Sequence, residues 1–215
     1  MNKDVLLTEV LSDEQIIEKS FGLALIKPDS VDLGIDEFIA DYMSDRMKKE
    51  AYSDLVGGFV VDSISEKQLR LIYPNLNDSY FKGNLRLFRN PSALLVFTTF
   101  KYNYDSPNLW EAIIKIKGHV DIDKRGQGFR STIRGAIPIP GTLTQCDTFV
   151  RNRKNSIELT DEEYYQLSRN FVHSPANLEE ILGLSMLMSD DELYRIVDKR
   201  TAKLVIDKRR KFKNS

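Results

Sequence analysis

Hydrophobic positions along the chain switch between a strand-like and a helix-like period, and that alternation predicts most of the architecture. Ser12-Asp13-Glu14-Gln15 has the form of a cap and first turn ahead of Ile16-Ile17, predicting a short helix. Phe21-Gly22-Leu23-Ala24-Leu25-Ile26 is a continuous apolar run, read as a buried strand stopped by Lys27-Pro28-Asp29. After Gly34 the positions Ile35, Phe38, Ile39, Tyr42, Met43 and Met47 follow the three-four spacing of an amphipathic helix. A second strand is predicted over 55–61, then a helix opening at Ser65-Glu66-Lys67-Gln68 with Leu69 and Ile72 on its buried side. Asn90-Pro91 is a turn leading into the strongest strand, 93–100, and Trp110, Ile113 and Ile114 mark a helix that ends at Gly118.

Beyond it lies a charged, glycine-rich loop over 119–130, and then an extended segment over 136–141 that Pro138 and Pro140 keep out of a helix. Thr160-Asp161-Glu162-Glu163 opens a further helix as a capping box, and helices over 177–188 and 190–197 follow. Helix and strand alternate without an internal repeat or a linker. A single α/β or α+β domain with additions is expected.

Composition narrows the class without changing this picture. A chain of 215 residues with 11 Gly and 7 Pro is neither disordered nor collagen-like. The net charge of −1 supplies no overall field for nucleic acid or a membrane surface, so neither is expected as a partner. Cys146 stands alone, which excludes an internal disulfide and a cysteine-based zinc site; no protein-held metal is expected. Acidic residues at Glu9, Asp13 and Glu14 break any signal-peptide pattern, and the longest apolar stretch, 93–97, is far shorter than a membrane span. A soluble, cytoplasmic protein is therefore expected. Over 199–213 eight basic residues face one acid, Asp207, with Phe212 as the sole aromatic. A solvated basic tail is the expectation there, and an arm on a polyanion the alternative.

Two histidines are candidates for chemistry. His119 sits beside a glycine in the polar loop without an evident partner. His173 ends Asn170-Phe171-Val172-His173 just before Ser174-Pro175, read as an N-cap and first helical position. The N–H groups of a helix N-terminus attract anions and favour the neutral imidazole that acts as a nucleophile. Lys27, held at a turn by Pro28, and Arg134, before Gly135, are fixed cations of the kind that phosphoryl transfer needs.

Leu25-Ile26-Lys27-Pro28-Asp29-Ser30-Val31, Thr132-Ile133-Arg134-Gly135 and Arg169-Asn170-Phe171-Val172-His173 resemble, in this order, the signature segments of nucleoside diphosphate kinases. Leu71-Ile72-Tyr73, Tyr80-Phe81-Lys82-Gly83 and the strand at Asn90-Pro91-Ser92-Ala93-Leu94-Leu95-Val96 extend the likeness over about 21–181. The resemblance implies a ferredoxin-like α+β fold: an antiparallel four-stranded sheet with helices packed on it, here with inserted and terminal helical segments. Its parts would be an extension over 1–20, a domain over 21–198 with an insertion at about 136–169, and the tail over 199–215. It further implies a homo-oligomer. The implied activity moves the γ-phosphoryl group of ATP or another nucleoside triphosphate to a nucleoside diphosphate, through phosphohistidine, with Mg2+ on the nucleotide phosphates. Carried over by position, His173 is the nucleophile, Lys27 and Tyr73 hold the transferred phosphate, and Arg134 clamps the phosphates. Asn170 bonds the sugar, Tyr80 stacks on the base, and Glu180 or Glu179 orients the histidine.

The chain also departs from the family pattern. Ser174-Pro175-Ala176 replaces the Gly-Ser-Asp that follows the family's histidine. Ile114 stands where a second arginine is expected, leaving Lys115, Lys117, Arg125 and Arg130 as stand-ins, with Lys115 and Arg130 as the candidate nucleotide contacts. Val120 stands in place of a threonine. Three readings remain open: a phosphotransferase, with a changed acceptor as one form; a nucleotide-binding sensor acting through a protein partner; and a reused fold without a nucleotide.

Overall fold

The computed structural model describes residues 11–99, 102–103, 105–118, 152 and 158–213. Its frame is a sheet of four strands, β1 (Phe21–Ile26), β2 (Asp54–Val61), β3 (Ser92–Thr98) and β4 (Val172–His173), in the order β2-β3-β1-β4. Every neighbouring pair is antiparallel, with Phe21 opposite Thr98, Ile26 opposite Ala93, and Leu25 opposite His173. All six residues of β1 are buried, as expected of an unbroken apolar run covered on both faces. Edge strand β2 carries polar and apolar residues and is only partly covered.

Helices α1 (Asp13–Ser20), α2 (Pro28–Asp32), α3 (Asp36–Ala51), α4 (Glu66–Ile72), α5 (Asp78–Leu87) and α6 (Leu109–Lys117) come from the first half of the chain. Helices α7 (Asp161–Ser168), α8 (Leu178–Ser185), α9 (Asp190–Ile196) and α10 (Lys199–Lys213) follow. Local chemistry sets most starts. Ser12 with Gln15, Ser65 with Gln68, and Thr160 with Glu163 form reciprocal capping boxes that satisfy backbone donors at the first turn. Helices α3 and α6 pack on each other and on the sheet, and α8 packs on β1 and α4. Gly183 permits the second contact: a Cβ there would lie 2.1 Å from the Leu71 carbonyl oxygen. The Trp110 indole, buried in the core, donates to the Phe21 carbonyl at 2.9 Å. The architecture is thus the expected α+β, ferredoxin-like fold.

Several local expectations are corrected. The segment expected to be a solvated tail forms α10, whose Thr201, Ala202, Val205 and Ile206 enter the core. Its basic residues mask a stripe of buried positions at helical spacing, and the Ser20 and Thr201 hydroxyls meet at 2.8 Å beneath it. Helix α8 begins at Leu178 under an Asn177 cap, as expected for the helix over 177–188, so the cap read at Ser174-Pro175 does not form. The third strand closes at Thr98, and α2 and α5 form where no helix was predicted. The loop over 119–130, the segment over 136–141 and most of the insertion lie outside the described residues.

Candidate functional site

Segments distant in sequence converge where β1 ends. Lys27, 3% exposed, follows the strand directly, and its Nζ donates to the Ser168 carbonyl at 2.9 Å and to Asn84 Oδ1 at 3.4 Å. A buried ammonium is tolerable only with such acceptors around it. Its Nζ also stands 5.9 Å and 5.8 Å from the ring centroids of Tyr73 and Phe88. Tyr73, at the C-cap of α4, brings its ring to 4.3 Å from the His173 imidazole. His173 reaches this point because β4 pairs with β1, placing it opposite Leu25.

Glu180, in the first turn of α8, brings Oε2 to 4.0 Å from His173 Nε2. The same oxygen accepts the Ala176 N–H at 3.0 Å. Burial pushes the Glu180 carboxyl above its ordinary value, while the Ala176 N–H and Lys117 pull it down and Glu179 adds to the rise. Of the two carboxylates considered, Glu180 is brought to the ring and Glu179 is exposed. Lys117 rather than Lys115 acts on this carboxylate; Lys115 is 76% exposed and pairs with Glu50 at 3.4 Å.

Between Asn170 and His173 the backbone is strained. Phe171 has φ 70°, and the Val172 N–H donates to the Asn170 carbonyl at 2.9 Å, the bond of a γ-turn. A non-glycine residue held this way costs roughly 1–3 kcal/mol and needs surrounding contacts to persist. The turn after β1 provides them. Phe171 N–H donates to Asp29 Oδ2 at 3.0 Å, and its carbonyl accepts from Lys27 N at 2.8 Å and Ser30 Oγ at 3.0 Å. Asp29 is 1% exposed, and burial raises its carboxyl while the Lys27 charge and the Phe171 N–H oppose the rise.

Helix α7 closes one side of the cluster. Asn170 Nδ2 donates to the Leu167 carbonyl at 3.0 Å and to the Tyr80 hydroxyl at 3.5 Å, and the Tyr80 ring lies 6.3 Å from that of Tyr164. Gly83 on α5 allows the approach, since a Cβ there would meet the Tyr164 carbonyl and Ser168 Oγ at 2.9 Å. The geometry therefore brings together Lys27, Tyr73, His173 and Glu180, with Tyr80 and Asn170 on the α7 side. Arg134 and Arg130 lie outside the described residues. Asp29, Ser30, Asn84 and Ser168 were not foreseen as site residues. Asn84 had a usable signal, lying four residues after Tyr80 on one helix face.

A four-stranded antiparallel sheet with helices, carrying a buried lysine and a histidine at adjoining strand ends, defines the class structurally. No family model matches the chain, and no curated protein matches it. A solved structure does: a transition-state mimic of nucleoside-diphosphate kinase from Borrelia burgdorferi with bound vanadate and ADP. The two share 16% identity and a TM-score of 0.50, over 80% of this chain and 88% of that one. At that identity the likeness is one of fold.

Proposed function

We propose that this chain is a nucleoside diphosphate kinase-like phosphotransferase working through phosphohistidine on His173. The observation that carries the reading is the convergence of a buried Lys27, the Tyr73 ring and the His173 imidazole on one point, with Glu180 at 4.0 Å from the imidazole. With Nε2 turned toward Glu180, the tautomer carrying a proton on Nε2 places the reactive lone pair on Nδ1. That lone pair attacks the γ-phosphorus of a nucleoside triphosphate, and the bond to the bridging oxygen breaks. The electron pair leaves on the nucleoside diphosphate. In the second half an acceptor diphosphate oxygen attacks the phosphorus, and the N–P bond returns its pair to the ring.

Lys27 supplies fixed positive charge, which in a water-poor site stabilises the phosphoryl oxygens without reorganisation. Tyr73 adds a hydroxyl donor, and Arg134 is the further cation assigned to the phosphates. Tyr80 offers an aromatic face for the base and Asn170 an amide for the sugar; stacking tolerates any base, so broad nucleotide use is expected. Among the described residues no group of three or more His, Cys, Asp or Glu side chains is suited to a metal ion. Mg2+ brought in on the nucleotide would neutralise charge on the β- and γ-phosphates.

A sensor reading has its own supporting observation. Lys27 and Asn170 bond to carbonyls of the last turn of α7, so an entering nucleotide would rearrange that helix and could signal through it. One experiment separates the two. The protein is mixed with ATP and magnesium, quenched in base and weighed intact. A phosphoryl adduct stable to base, lost in acid and absent from His173→Ala supports the transferase, and nucleotide binding should survive in that variant. Nucleotide-dependent thermal stabilisation without an adduct supports the sensor. Neither stabilisation nor an adduct returns the chain to a reused fold.

A further inference from the structure

We propose that Asp29 and Ser30 are positioning residues for His173, acting through the backbone of Phe171. The inference rests on the phosphotransferase reading of the same site. Three donor–acceptor pairs converge on Phe171: its N–H on Asp29 Oδ2, and its carbonyl on Lys27 N and Ser30 Oγ. All four residues are buried, so water cannot replace a lost bond at low cost. Phe171 is also the residue with φ 70° at the centre of the γ-turn between Asn170 and Val172. A phenylalanine released from these contacts would relax toward negative φ, because its Cβ is crowded in the left-handed region.

That relaxation has a defined consequence. His173 lies two residues on, in a strand of only two residues, so a change at Phe171 is carried directly into the pairing with β1 that places the imidazole. Rotation about Phe171 would also swing Asn170, on the other side, away from Tyr80. The turn after β1 thus sets the nucleophile and its neighbouring amide together. Lys27 shares in this by its backbone N–H, while its Nζ donates to the Ser168 carbonyl, so one peptide group ties the residue carrying the cation to the strand that carries His173.

The test compares Asp29→Ala, Asp29→Asn and Ser30→Ala with the parent. Three quantities are measured: ATP affinity, the single-turnover rate of base-stable phosphoprotein formation, and the imidazole NMR signals of His173. With only two histidines in the chain, His173→Ala assigns its signal. Asp29→Ala should lower the rate by about 10²-fold, the scale of a displaced reacting group, with ATP affinity retained and the His173 signal shifted or broadened. Asp29→Asn keeps an acceptor for the Phe171 N–H and should recover most of the rate. Ser30→Ala should fall between. If Asp29→Ala does not fold, Asp29→Asn and Ser30→Ala carry the comparison, and a parental rate and signal in Ser30→Ala overturns the inference. Rate and affinity falling in parallel, with the His173 signal unmoved, also overturns it. A parent protein that binds ATP without forming an adduct defeats the phosphotransferase reading alone; the His173 signal in the variants then decides the positioning role by itself.

Discussion

Glu180 lies beside His173 at a cost to the fold. Its carboxyl is raised above the usual value mainly by burial, so between the unfolded and folded values the native state binds more protons than the unfolded chain. Stability contributed by this group therefore falls as pH rises through that window, which opens near pH 4.5. Glu180→Gln, which keeps an acceptor for the Ala176 N–H, should melt at a higher temperature than the parent at pH 7. The difference should shrink as the pH is lowered through the window in a series of thermal melts. Because the glutamine no longer supplies charge beside the imidazole, phosphoprotein formation should slow, by roughly 10²-fold if the ring loses its orientation. Arg209 works the other way: its guanidinium donates to the carbonyls of Ser185 and Met188 and pairs with Asp190. Arg209→Ala should destabilise the protein by roughly 1.5–3 kcal/mol in urea unfolding, the range for hydrogen bonds from a charged group.

Between elements, glycines set how closely helices approach. At Gly183 a side chain would collide with backbone of Leu71, which no rotamer change relieves. Gly183→Ala should cost about 1–3 kcal/mol by forcing α8 off α4, measured by denaturant unfolding. Since Glu180 rides on α8 and Tyr73 caps α4, the same shift should separate the groups flanking His173 and lower the phosphorylation rate. Helix α7 is docked on α5 by the close approach at Gly83, by the Arg86–Glu162 ion pair and by Arg86 lying 3.9 Å from the Tyr165 ring. The ion pair is exposed, so salt should weaken it while the packing at Gly83 persists.

At the scale of the molecule, α10, the last described helix, packs on the first, α1, as well as on α8 and α9. A protein ending before Lys199 should lose cooperative unfolding and expose Ile16 and Ile17, read by calorimetry and dye binding; a solvated tail would have left both unchanged. No helix among the described residues is long and apolar enough to cross a membrane. Edge strand β2 leaves Val60 77% exposed, and the homo-oligomer expected from the sequence resemblance is checked by light scattering.

Most element starts were legible in the sequence, while α2, α5, β4 and α10 were not. An apolar run such as β1 and a capping pair such as Ser65 with Gln68 act over a few residues, and their physics is local. The sequence also marked Lys27, Tyr73 and His173 as chemically capable, because those residue types stood in recognisable segments. Helix α10 was misread because a count of charges along a line hides the apolar stripe that winding exposes on one face. Folding, not sequence, shows that Glu180 and not Glu179 lies near the imidazole and that Lys117 and not Lys115 acts on that carboxylate, since neighbours in sequence point to different sides of a helix. Phe171 depends on it most: nothing about a phenylalanine predicts φ 70°, a conformation held by Asp29 and Ser30 from far along the chain.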